Sequence, residues 1–388
     1  MAVSGGPDSL CLAWLAAGWG KPLALIVDHG LRADSAAEAQ LTSRRLAAFG
    51  VAARILTLHG LLPGPGLAAR ARTARYAALI EAAAAEGLSD LVLGHHAQDQ
   101  AETVMIRTQS GSGRSGLSGM AAIVETTGLR KIRPLLGVLP GRLRATLRAQ
   151  AIGWIDDPSN ADIRTTRSRM RALLATSDDI RSRLAAAGQN ARDRLASETA
   201  IADALAERVA FLPQGFALLT PGPADPGLLA ALIRALSGAD FPPRGRALAR
   251  LAADPRGCLG GLRFMPAGRL GPSTLVVREA ACVQPPRQAV TGAVWDRRFR
   301  LQSEPVPPGT LLGALGALGA LAAGLRPASR LPAAVLAVLP ALRTPDGGLA
   351  VPHIDYFHGW TNGPVRLTFN PAIPAAGAGF MPVAEGDA

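Results

Sequence analysis

The run Ser4-Gly5-Gly6-Pro7-Asp8-Ser9, followed by apolar residues 10–17, reads either as a tight strand–helix junction or as an anion cradle. Paired glycines and small residues predict a strand-to-helix turn with its backbone amides facing outward. Unsatisfied amides and a helix N-terminus both favour a phosphate. Asp8 and Ser9 add a carboxylate and a hydroxyl beside it, and magnesium takes such oxygen ligands together with substrate phosphates. A second constellation is Gly94-His95-His96-Ala97-Gln98-Asp99-Gln100-Ala101-Glu102-Thr103. Asp99, Glu102, Thr103 and Ile106 recur at i, i+3, i+4 and i+7, on one helical face. Two other readings stand beside a catalytic one. A capped amphipathic helix would use Asp99 as cap and Glu102 to complete the box. A zinc site would start from two histidines and an acid, but no cysteine or third histidine lies nearby.

Other signatures fail. A Walker A loop needs Gly-Lys-Ser or Gly-Lys-Thr, and neither Lys21 nor Lys131 has that context. Gly111-Ser112-Gly113-Arg114-Ser115-Gly116 spells GxGxxG, but it follows a helix rather than a strand. A His-His-x-x-x-Asp acyltransferase signature needs its acid one residue after Asp99. Arg72 and Tyr76 lie one helical turn apart with Arg75 beside them. Trp154-Ile155-Asp156-Asp157-Pro158-Ser159-Asn160 precedes Arg164, Arg167, Arg169 and Arg171, an arginine row that suits a phosphate backbone.

Short apolar runs must position these groups. Residues 23–27, 55–58 and 91–93 read as strands, and 131–133 opens a last one. Residues 35–49, 67–86 and 99–109 read as helices between them. Strands spaced by helices imply a parallel sheet with right-handed crossovers. Ligands on such sheets sit beyond the carboxyl ends of the strands, where Ser4, Asp28 and His95 lie. The first strand is short, because only Met1-Ala2-Val3 precede the glycine turn, so the turn is expected to be less firmly anchored. Residues 176–209 read as a helical connector. Beyond residue 210 glycine and proline increase, with strand-like pieces at 274–278 and 299–301. The Gly-Ala-Leu triplets at 313–320 read as a poor helix.

At 388 residues and 48% apolar content the chain can bury a core in two domains. Residues 311–325 are interrupted by Gly313, Gly316, Gly319 and Gly324, short of the roughly 20 apolar residues that span a bilayer. The start lacks the basic region of a secretory signal. Cys11, Cys258 and Cys282 form no CxxC pair, which fits a reducing, cytoplasmic compartment. The net charge of +12 suits a polyanionic partner.

Taken in order, residues 4–9, 27–32 (Val-Asp-His-Gly-Leu-Arg), 71–76 (Ala-Arg-Thr-Ala-Arg-Tyr), 94–103, 111–120, 133–136 (Arg-Pro-Leu-Leu) and 157–160 carry a resemblance. They resemble the tRNA(Ile)-lysidine synthetases of the N-type ATP pyrophosphatase, or PP-loop, group. The resemblance covers residues 2–174 and is weak beyond. It implies a doubly wound parallel α/β domain over 1–175, Rossmann-like and adenine-nucleotide α-hydrolase-like. A helical connector (176–209) and a smaller α+β domain that helps hold tRNA (210–388) follow. It implies a ligase that uses ATP to join L-lysine to the wobble cytidine of a CAU-anticodon tRNA(Ile). Ser4, Gly5, Gly6, Pro7, Asp8, Ser9, Asp28, Gly94 and His95 would bind ATP. Asp8 and Asp99 would bind Mg2+. Asp8, Asp99, Glu102 and Arg72 would be catalytic. Arg114, Arg164, Arg167 and Arg171 would contact tRNA, and a second copy of the chain is a further expected partner. Two positions depart from the family: Gln98 replaces an acid, and Ser110 replaces an arginine. A tRNA thiolase of the same group is disfavoured by the distance of Cys11 from Cys258 and Cys282 in sequence and by the absence of a CxxC pair. A non-catalytic, ATP-regulated RNA-binding protein is the rival from another class.

Overall fold

A strand buried on both faces needs apolar side chains on both, and residues 23–28 supply them. Ala24 and Ile26 enter one core with Leu10, Leu46 and Leu143, while Leu25 enters another with Leu79, Leu91 and Leu129. The period of two along a strand divides them. The computed structural model describes the chain except residues 63, 127–128, 157–165, 175, 303–305, 318, 320–323, 326–328, 362, 378 and 383–388. The amino-terminal elements are α1 (Pro7–Ala17), β1 (Leu23–Asp28), α2 (Ser35–Ala48), β2 (Ala52–Thr57), α3 (Leu67–Ala85), β3 (Asp90–Val92), α4 (Ala97–Gln109), α5 (Arg114–Leu117), β4 (Ile123–Thr126), β5 (Leu129–Ile132), α6 (Pro140–Ala149), α7 (Thr166–Leu173) and α8 (Ser177–Arg208).

β1 pairs in parallel with β2, and β3 with β5, while β4 runs antiparallel to β5. Ala2 joins the two groups, bridging in parallel to Leu25 on one side and Leu93 on the other. Ala2 N donates to Val92 O at 3.0 Å and Val3 N to Leu25 O at 3.0 Å. The short first strand is therefore held from both sides. The order is β2-β1-Ala2-β3-β5-β4. The connection after Ala2 leads to one side and that after β3 to the other. On such a sheet the place for a ligand is where they part, beside Ser4 and Gly94.

The chain divides into two compact units, residues 1–197 with 378–388, and residues 198–377. In the second unit, β6 (Val209–Leu212), β7 (Phe216–Leu219), β8 (Gly257–Leu259), β9 (Leu262–Pro266) and β10 (Thr274–Arg278) form an antiparallel sheet in the order β6-β7-β10-β9-β8. Helices α9 (Pro226–Ser237) and α10 (Arg246–Ala253) share its core. Two more antiparallel sheets follow, β11-β14-β15-β16-β17 and β12-β13-β18. Their strands are β11 (Arg287–Gln288), β12 (Val294–Trp295), β13 (Phe299–Leu301), β14 (Leu311–Ala314), β15 (Pro340–Arg343), β16 (Leu349–Val351), β17 (Tyr356–His358) and β18 (Leu367–Phe369). Among the described residues no helix is long and apolar enough to cross a membrane.

Two expectations are corrected. Gly313 and Ala314 lie in β14, between β11 and β15, while Ala317 and Gly319 are helical, so the helix expected over 313–320 does not include its first two residues. A Cβ on Gly313 would come within 2.9 Å of Pro286 Cγ, so the glycine serves close strand packing. α4 begins at Ala97, two residues before the expected start, with His96 rather than Asp99 as its N-cap.

Candidate active site

The glycine turn leaves the first strand at Ser4 and enters α1 through Pro7. Proline at the first helical position loses no hydrogen bond, because that amide has no intrahelical partner. Gly5 has φ +83°, and a Cβ there would overlap Thr42 Oγ1. Its carbonyl accepts from Ile155 N at 2.9 Å. Ser4 N donates to Ser9 Oγ at 3.1 Å, and Ser9 Oγ donates to Gly6 O at 3.1 Å. The two serine hydroxyls lie 3.3 Å apart. The turn is thus cross-braced by the hydroxyls expected beside a phosphate.

Gly94 lets the second motif approach it. A Cβ on Gly94 would lie 3.1 Å from Ser9 Cα and 3.2 Å from Ser9 N. Two residues on, the buried His96 imidazole joins the motifs. Nε2 lies 3.4 Å from Asp8 Oδ2, and Nδ1 lies 3.6 Å from Asp99 Oδ2. His96 N donates to the same Asp99 oxygen at 3.0 Å. Burial alone would lower the pKa of His96. The hydrogen bond to Asp8 and the charges of Asp99, Asp8 and Glu102 outweigh it and raise the pKa above its ordinary value. Asp8 and Asp99 therefore flank one imidazole.

Glu102 has a side chain 0% exposed, and its Oε1 accepts from Arg171 Nε at 2.8 Å. Burial would lower the pKa of Arg171; the bond to Glu102, with the charges of Glu102, Asp99 and Asp8, raises it. Arg171, expected on RNA, is engaged with the acids. Arg164 lies outside the described residues, as do the Arg167 side chain and the 157–160 motif. Arg114 is exposed at the start of α5.

Asp28 ends β1, buried, with Oδ1 accepting from Gly30 N at 2.9 Å. His95 follows β3, half-buried. Arg72 belongs to a second group, around Tyr76. The Arg72 and Arg75 guanidiniums lie 5.1 Å and 5.4 Å from the ring centroid, and Lys131 Nζ lies 5.2 Å from it. Burial lowers the pKa of His29, helped by the Arg75 charge and opposed by Asp28. The Arg75 charge thus reaches the end of β1.

Sequence reasoning raised His96 only in the zinc alternative and passed over Thr42. The signal for His96 was an acid three residues after a helix start. Among the described residues no three histidine, cysteine or acid side chains converge to hold a metal unaided. An ion here would need substrate oxygens as well.

A parallel α/β sheet with a glycine turn and two acids at its switch point defines an ATP-binding PP-loop protein, and residues 1–177 match the PP-loop domain family. Similar proteins include the tRNA(Ile)-lysidine synthase of Bradyrhizobium diazoefficiens, 45% identical over 53% of this chain and 58% of that protein. That of Ruegeria pomeroyi is 35% identical over 93% of this chain and 90% of its own. That of Mesorhizobium japonicum is 37% identical over 81% of this chain and 74% of its own. The chain belongs to the tRNA(Ile)-lysidine synthase family. The solved U34-tRNA thiolase NcsA from Methanococcus maripaludis aligns with a TM-score of 0.42 at 17% identity, over 49% of this chain and 70% of that one.

Proposed function

We propose that this chain joins L-lysine to C2 of the wobble cytidine of CAU-anticodon tRNA(Ile), at the expense of ATP. The observation that carries this is the convergence of Asp8 and Asp99 on His96 beside the braced glycine turn, in a chain of this family. In the first step the cytidine C2 oxygen attacks the α-phosphate. An O–P bond forms, the α–β anhydride breaks and pyrophosphate leaves. In the second, the ε-amine of lysine attacks C2, the C–O bond breaks and AMP leaves with the oxygen.

The turn amides, with the Ser4 and Ser9 hydroxyls and the N-terminus of α1, would hold the departing pyrophosphate. Asp99 is the acid for the lysine ammonium and its proton, since Glu102 is enclosed and bound to Arg171. Glu102 then acts through Arg171 and His96 by fixing charge around them. Arg72 and its neighbours would balance phosphate charge near Asp28. The wobble base must leave its stack to reach ATP.

Asp8 Oδ1 is buried and without a hydrogen-bond partner among the described residues, an anionic oxygen left for a cation. Magnesium held by Asp8, Asp99 and ATP phosphates would offset charge as the anhydride breaks. The doubly wound, adenine-nucleotide α-hydrolase-like fold, a second copy as partner and a cytoplasmic location belong to the same reading.

The test is mass spectrometry of nucleosides from that tRNA after incubation with protein, ATP and lysine. Lysidine should form only with all components present. Asp99→Asn should abolish it while tRNA binding persists. Wild-type turnover in that variant would remove Asp99 from the mechanism, and no lysidine from the wild type would sink the ligase reading.

A further inference from the structure

Arg114 stands on loop 111–120, which buried groups fasten from below. The Gln100 amide grips Met120 twice: Nε2 donates to Met120 O at 2.9 Å, and Oε1 accepts from Met120 N at 2.7 Å. Arg107 Nη1 donates to the carbonyls of Gly116 and Gly119, both at 2.7 Å. Ser118 Oγ donates to Asn190 O of α8 at 3.0 Å. These bonds fix the second half of the loop on α4 and α8.

The first half, which carries Arg114, is tied by a different device. Arg194 Nη1, from α8, donates to Ser115 O at 3.1 Å. The guanidinium carbon of Arg194 lies 4.4 Å from the ring centroid of Phe380. Phe380 is buried, and Met381 O beside it accepts from Ala122 N at 3.0 Å. Residues 380–381 are therefore fastened just past the loop and give Arg194 an aromatic floor. A planar guanidinium stacked on a ring has its fork of donors fixed in direction; an ammonium does not. Burial lowers the pKa of Arg107, and the charge of Arg194 lowers it further, so the arginines stand close enough to feel each other. Such a concentration of positive charge suits a polyanion.

We propose that Arg194, seated on Phe380, is a positioning residue for the RNA: by fixing Ser115 it holds the adjoining Arg114 in the pose that meets a phosphate. This rests on the tRNA-ligase reading of the site.

The test uses the full chain with Arg194→Lys, Arg194→Leu, Phe380→Tyr and Phe380→Ala. Phe380→Leu replaces the last should it fail to fold, since it keeps bulk without the ring face. Readouts are backbone amide exchange over 111–120, filter-binding Kd for tRNA, and steady-state constants. Both Arg194 variants and Phe380→Ala should raise Kd and KM for tRNA about tenfold, or about 1.4 kcal/mol. They should speed exchange at 113–117 and leave kcat at saturating tRNA and KM for ATP unchanged. Phe380→Tyr should behave as wild type. Wild-type tRNA affinity in Arg194→Lys would reduce the role to bare charge and overturn the proposal. Unchanged exchange would overturn it too, as would a parallel loss of kcat and ATP affinity. If the wild type forms no lysidine, the ligase reading fails alone, and exchange with Kd still decides the clamp.

Discussion

Asp8 Oδ2 and His96 Nε2 lie 3.4 Å apart, joining the first turn of α1 to the N-cap of α4. Two helix N-termini thereby meet at one imidazole. His96 stands between two half-buried carboxylates, so His96→Ala should lower stability by about 1–3 kcal/mol, the cost of leaving charged groups without their partner. Thermal unfolding in the presence of a chelator reads this directly; an unchanged melting temperature would show the bridge to be energetically idle.

Gly5→Ala meets two obstacles at once. At φ +83° an L side chain is strained, costing about 1–3 kcal/mol, and the added Cβ overlaps Thr42 Oγ1. ATP binding should fall sharply. Adding Thr42→Ala should relieve the overlap but not the φ strain, so the double variant should recover only part of the loss. Full recovery in equilibrium ATP titration would mean that the turn tolerates an alanine backbone.

Much of this geometry was legible beforehand. β1, β2 and α3 carry apolar runs long enough to read. The i, i+3, i+4 face of α4 put Asp99 near Glu102, and Thr103 Oγ1 does donate to Asp99 O, at 2.8 Å. His96 was obscure because N-cap preference favours Ser, Thr, Asp and Asn. β4, Ile-Val-Glu-Thr at the sheet edge, escaped because it lacks the continuous apolar run of a strand buried on both faces. The sequence offers Glu102 as a catalytic acid or a capping partner, and only the fold shows it enclosed beside Arg171, which follows it by 69 positions. Beyond residue 210 most strands have two to five residues, and cross-strand packing that no local pattern encodes decides them.

Glu102 and Arg171 offer a coupling test. Glu102→Gln leaves a half-buried guanidinium without its counter-charge and should cost about 2 kcal/mol, below the 3–5 of a fully buried pair because water reaches Arg171. Arg171→Met should relieve most of that cost when added to Glu102→Gln. Urea denaturation of the four proteins closes the cycle. Strict additivity would mean that the two side chains do not stabilise each other.

His353 sets an acid limit on the second unit. Its ring lies edge-on to Phe299 at 5.5 Å, and neither nitrogen has a hydrogen-bond partner among the described residues. Burial lowers its pKa below the ordinary 6.5, so folding favours the neutral ring. As pH falls, the unfolded chain binds the proton first. The contribution is therefore present above pH 6.5 and is lost as pH falls through the lower folded value. Calorimetry from pH 8 down to 4 should show this acid-side loss reduced in His353→Leu. An identical pH profile in the two proteins would rule out His353 as its source.

Asp296 and Arg298, each with a side chain 1% exposed, form the most enclosed ion pair among the described residues. Arg298 donates to Asp296 Oδ2 through Nε at 2.9 Å and Nη2 at 2.5 Å, and through Nη1 to Gly215 O at 3.1 Å. Arg278 Nε lies 3.4 Å from the same carboxylate oxygen, and Asp296 Oδ1 accepts from Gln284 N at 3.0 Å. Burial pushes the Arg298 guanidinium down to about 10, and Asp296 opposes it. Asp296 has φ +49°, which asparagine tolerates well, so Asp296→Asn removes charge with little added backbone strain. The variant strands a buried cation and should cost about 3–5 kcal/mol. Adding Arg298→Met removes that cation and should recover most of the loss, since an apolar side chain needs no counter-charge. Chemical denaturation of the single and double variants distinguishes the outcomes: a double variant no more stable than Asp296→Asn would place the cost in the turn, not in the stranded charge.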